Sequence, residues 1–160
     1  MSRKRNHRMR SRDLATNSWA VALSNSQTLT EQKATQLMES TRVALVRMLD
    51  GSADDVHHQR LGTDINVAFI RLEDDDIEGE KAPTFEVLQL AGEALNFSAR
   101  MRQERGRYGL TGPGRQQLAD GIEAYEAILR ASTPRQMENA QQELVRRHRA
   151  LRTGKAVVAA

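Results

Sequence analysis

The sequence predicts an all-α protein: about five main helices arranged as helical hairpins in a compact bundle, behind a disordered basic N-terminal arm. Three observations lead there. Apolar residues recur three and four apart in five separate stretches, and none alternates convincingly as a half-buried strand would. Gly, Pro, Ser and Thr stand between the stretches, where helices start and stop. Aromatics are only 4% of the chain, so the core must rest on Leu, Ile, Val, Met and Ala, which suits helix packing better than a sheet sandwich. At 160 residues the size fits a single domain, expected over residues 13–155.

Residues 1–12 read as the disordered arm: six bases, no acid and one bulky apolar residue, Met9. Asp13 to Ser24 reads as a short helix anchored by Trp19, the only tryptophan. After a polar break, Thr28 or Thr30 can cap a helix in which Ala34, Leu37, Thr41, Ala44 and Met48 share a face, ending at Gly51. Ser52 is expected to start the next helix, with Asp54 and Asp55 in its first turn, where the helix dipole favours acids. Leu61, Ile65, Ala68, Phe69 and Leu72 form its apolar face. Gly62 interrupts it at a propensity cost of roughly 1 kcal/mol, which marks a close helix crossing or a kink. These two helices should form a first hairpin.

The stretch from Glu73 to Pro83 carries six acids and reads as an exposed loop, with docking of a basic partner or of the chain's own basic ends as the competing use. Its acids are consecutive, so the alternating ligand spacing of a calcium loop is missing. Thr84 can cap a helix bearing Phe85, Leu88, Ala91, Leu95 and Ala99 and ending among Arg100, Arg102, Arg105 and Arg107. After a Gly- and Pro-rich connector, Pro113 opens a helix with the stripe Leu118, Ile122, Tyr125 and Leu129. Thr133, Pro134 and Gln136 form a capping box for the last helix. Met137, Gln141, Leu144, His148 and Leu151 follow at heptad spacing, so part of this seam should face a partner or water. With only a short break between them, these last two helices are expected to fold back on each other as an antiparallel hairpin. Residues 156–160 read as a frayed tail.

Charge is distributed unevenly. The first twelve residues and residues 146–155 hold eleven bases and no acid, leaving thirteen bases against twenty-one acids between them. Basic ends on an acidic body point to a polyanion, or to an acidic protein surface, as the partner. No run is apolar enough to span a bilayer, and there is no signal-peptide core, so no membrane contact and a cytoplasmic location are expected. With no cysteine there is no thiolate nucleophile and no Cys-based zinc site.

Few groupings carry chemistry. Asp54, Asp55, His57 and His58 are the densest set of metal-type ligands, but they read as a solvated helix start. The loop Gly109-Leu110-Thr111-Gly112-Pro113-Gly114 precedes a helix start that could hold an anion, yet Pro113 removes a donor, and no strand or P-loop lysine accompanies it. No catalytic, metal or cofactor site is expected. Leu90 to Gly106 admits a helix-turn-helix, with Asn96 in the turn and Ser98 capping an arginine-rich second helix. The apolar stripe passes straight through Asn96, which favours one continuous helix. The expected function is therefore a non-enzymatic regulatory or accessory protein contacting DNA or RNA. Arg100, Arg102, Arg105 and Arg107 would make the contact. Arg3, Lys4, Arg5 and Arg8, with Arg146, Arg147 and Arg149, would add non-specific affinity. The alternative is a helical adaptor or self-associating module with no nucleic-acid role.

Overall fold

Everything in the fold packs around one helix, α2 (Asp55–Glu73), which touches all four of the others. In this computed structural model, residues 28–74 and 81–153 are described, and they form α1 (Glu31–Asp50), α2, α3 (Ala82–Arg105), α4 (Gly112–Ala131) and α5 (Pro134–Arg152). There is no strand among the described residues. The basic arm 1–12, the Trp19 segment, the middle of the acidic stretch (75–80) and the tail 156–160 lie outside them.

The central place of α2 explains its residues. Leu61, Ile65, Val67, Ala68, Ile70 and Leu72 are all buried, so its second half is covered on more than one side. Burying such side chains contributes about 1.5–3 kcal/mol each before conformational entropy is charged. His58 meets Leu95 and Phe69 meets Phe85, so α2 and α3 run antiparallel. Gly114 lies against Ala94 and Gly121 against Ala91, which sets α3 and α4 antiparallel as well.

The hairpins are α1–α2 and α3–α4. The expected α4–α5 hairpin is not formed: α5 packs on α2 and barely meets α4. The reason is the length of its apolar seam. Met137, Ala140 and Leu144 are buried, whereas Gln141 and His148 are exposed and Leu151 is 76% exposed. A buried face that begins at Pro134 and stops at Leu144 suits a short crossing over α2 better than an extended fit along α4.

Most helix starts follow the capping signals, with shifts of a few residues. Thr30 caps α1 through Lys33 N. Ser52 does not start α2. Asp54 caps it by accepting from Val56 N and His57 N, and His57 returns the bond to complete the box. Thr84 caps nothing, because α3 already begins at Ala82, with Pro83 in its first turn. Thr133 and Gln136 form the predicted box on α5. Gly51 and Gly106 end α1 and α3 at φ 80° and 74°, the left-handed conformation that glycine adopts without penalty.

Candidate nucleic-acid interface

The end of α3 is held in place before any ligand is considered. Residues 82–105 are one helix, so no helix-turn-helix interrupts it, and Ser98 is buried mid-helix rather than capping a second one. Tyr108, just past the Gly106 cap, is buried and donates to Asp55 Oδ1 at 2.8 Å. Its ring stacks on His58 with centroids 4.7 Å apart, and His58 Nε2 donates to the Leu95 carbonyl at 3.0 Å. Burial first, and the Asp55 carboxylate second, push the Tyr108 phenol up. The phenol therefore stays a donor at neutral pH.

This lock consumes one of the four arginines. Arg102 lies over the Tyr108 ring at 5.7 Å, pairs with Asp55 at 3.4 Å and donates to the Gly106 carbonyl. Arg100, Arg105 and Arg107 are exposed and have no acid partner among the described residues. Arg100 sits at the margin of cation–π range from the Phe97 ring, at 6.0 Å. Glu104 is the exposed acid on the same turn.

The α5 arginines sit elsewhere and are differently occupied. Arg147 forms a two-pronged pair with Glu73, at 2.6 and 3.2 Å, and a further bond to Glu143 at 3.0 Å. Arg146 pairs with Glu143 at 2.7 Å. Bonds from Arg146 and then Arg147 hold the Glu143 carboxyl below its ordinary range. Among the described residues, only Arg149 of this trio is exposed without an ion pair. Arg102 thus grips the first residue of α2 and Arg147 the last, so the two groups lie about 27 Å apart along that helix. The acidic stretch is partly explained by the same contact, since Glu73 docks one of the chain's own basic ends. Arg3, Lys4, Arg5 and Arg8 lie outside the described residues.

The remaining sequence candidates have structural partners. Asp54 and His57 spend their side chains on the α2 cap, while His58 turns to Leu95, so the cluster does not converge. No three metal-type ligands come together among the described residues. At the start of α4, Thr111 Oγ1 accepts from Gly114 N, taking one of the amides an anion would need, and Pro113 has no N–H to offer. None of the described helices is long and apolar enough to cross a membrane.

Sequence reasoning missed one site. Asp64 is buried and accepts from Thr41 Oγ1 at 2.7 Å and from Arg60 Nε at 2.9 Å, beside buried Tyr125. Burial pushes the Asp64 carboxyl up despite those bonds, and pushes the Tyr125 phenol well above its ordinary value. The available signal was an acid three residues after Leu61 and one before Ile65, inside an apolar face. Comparison with protein-family models, with curated proteins and with solved structures gives no match to this chain.

Proposed function

We propose that this chain is a non-enzymatic accessory protein that contacts nucleic-acid phosphates through the arginine-rich end of α3. The observation that supports this best is the contrast within that end. Arg102 is spent on holding the turn, and Arg100, Arg105 and Arg107 stand exposed beside it with no acid partner among the described residues. A rigid support with unpaired guanidinium groups lowers the ordering cost of phosphate contact. Arg149 and the basic arm add charge, whereas Arg146 and Arg147 must first leave their carboxylates.

The test is a titration of labelled duplex and single-stranded DNA and RNA at two salt concentrations. It compares the full chain, a version lacking residues 1–12, and Arg105→Ala/Arg107→Ala. For duplex DNA, each lost phosphate contact lowers the slope of log K against log salt by ~0.9, so the double variant should lose about 1.8. Absence of binding at low salt refutes the proposal. Binding that vanishes with the arm and ignores Arg105 and Arg107 reduces it to a generic electrostatic tail.

A second reading, a protein-binding or self-associating module, is favoured by a different surface. Val43 and Val46 are 50% and 59% exposed, one turn apart on α1, and Val56 is 72% exposed at the start of α2. Val43 and Val56 line one shallow depression. Light scattering across a concentration series, with Val43→Glu as the control, distinguishes this reading: self-association abolished by the variant supports it.

A further inference from the structure

Beside the Asp64 cluster, α1, α2, α4, α5 and Leu29, two residues before α1, enclose a pocket of about 170 Å³. Its floor is apolar and buried: Leu29, Leu129, Met137 and the ring of Tyr125. Its rim is polar and open: Gln36, Ser40 and Gln141 are exposed, and none of their side chains bonds within the described residues. Apolar cavities of about 150 Å³ hold benzene, so this volume suits a ligand of one small ring. An apolar floor with a few convergent polar groups is the usual make-up of a small-molecule site.

The charge on the wall narrows the ligand further. Arg60 is the only charged side chain lining the pocket among the described residues. Its Nε bonds Asp64 at 2.9 Å and its Nη2 bonds Thr41 Oγ1 at 3.2 Å, which fixes the guanidinium plane. Its Nη1 has no partner among the described residues. Asp64 and Thr41 do not line the pocket, so an entering molecule meets the cation and not the carboxylate that holds it. Two side-chain amides and a hydroxyl stand nearby to complete the hydrogen bonding. Gln141 thereby acquires a use: it breaks the apolar seam of α5 at the pocket mouth.

We propose that this pocket binds a small, flat molecule with an apolar body and a single carboxylate, of about the size of benzoate. The ring rests on Met137 and Leu129, and the carboxylate meets Arg60 Nη1 with Gln36 or Gln141. The site is distinct from the α3 arginines and does not depend on the nucleic-acid reading.

The experiment titrates the full chain, 13C-labelled at its methionine methyls, with sodium benzoate and separately with benzyl alcohol. The Met137 signal, assigned through Met137→Leu, should shift saturably with benzoate and more weakly with the alcohol. Ser40→Trp adds bulk at the exposed mouth, and should abolish the shift while leaving the circular dichroism and melting temperature in place. Removing both charges together, Arg60→Met with Asp64→Asn, avoids stranding a buried carboxylate. It should weaken benzoate about tenfold or more, the usual worth of a hydrogen bond to a charged group, and leave benzyl alcohol unchanged. The proposal is overturned if Met137 shows no saturable shift, if the shift survives Ser40→Trp, or if the alcohol binds the parent as tightly as benzoate.

Discussion

Replacing Gly121 with alanine tests the tightest contact in the fold. A Cβ at Gly121 would lie 2.3 Å from Ala91 Cβ and 3.1 Å from Ile65 Cδ1. Ordinary contact between carbons is about 3.5–4.0 Å, so α3 and α4 would have to part by ~1 Å or more. Ala91 Cβ is fixed to its own helix and cannot rotate aside. Overpacking of this kind costs about 1–3 kcal/mol, and alanine returns up to ~1 kcal/mol of helix propensity. The expected net loss is about 1–2 kcal/mol, or roughly 2–8 °C in Tm for a chain of this size. Gly62→Ala and Gly92→Ala provide the contrast, because a Cβ at either position meets nothing within 4 Å. Each should stabilise by about 0.5–1 kcal/mol. Urea titrations followed by circular dichroism measure all three. Gly121→Ala as stable as the parent would refute the close crossing. The clash would also be refuted if Ala91→Gly cost as much in the Gly121→Ala background as it does alone, since relief of the contact requires coupling.

Three further outcomes follow from buried polar groups and caps. Asp64 has a native pKa above its ordinary value of 3.8, so the native state holds its proton more tightly than the unfolded state. Its contribution is fully present below pH 3.8 and is lost as pH rises through the raised value; in Asp64→Asn that component vanishes, so the stability of the variant relative to the parent should climb over this window. Arg71, 1% exposed, donates to Ser132 Oγ at 3.0 Å and ties α2 to the α4–α5 junction; Arg71→Ala should cost about 2–4 kcal/mol by urea denaturation, far more than loss of a surface arginine. Thr133→Ala removes one half of the α5 capping box and should cost about 1 kcal/mol, with faster amide exchange confined to the first turn of α5.

Helix number and most boundaries were legible because they depend on local chemistry. Thr133, Gln136 and Pro134 act within one turn, and Gly51 and Gly106 act through their own φ angles. Helix partners were not legible. The short break before α5 implied a hairpin with α4, but partner choice is decided by how much apolar face two helices can share, and α5 has only Pro134, Met137, Ala140 and Leu144 to offer. Gly62 drew attention as a crossing point because it interrupts an apolar face, yet the crossing occurs at Gly121. Sequence cannot separate the two, since each is a glycine inside an amphipathic helix and only the partner's position differs.

The candidate site shows the same limit in electrostatic form. The arginine blocks at 100–107 and 146–149 look equivalent in the chain: each lies toward the end of a helix, where cations are favoured. Folding makes them unequal by bringing acids from far away, Asp55 to Arg102 across 47 positions and Glu73 to Arg147 across 74. What a polyanion meets is the charge left over after those pairs form. At α3 the pair removes a single guanidinium and fixes the platform for the other three. At α5 the pairs remove two of three and leave Arg149. Linear charge density therefore overstates α5 more than α3, and that inequality is why Arg105 and Arg107, rather than Arg146 and Arg147, are the substitutions that decide the question.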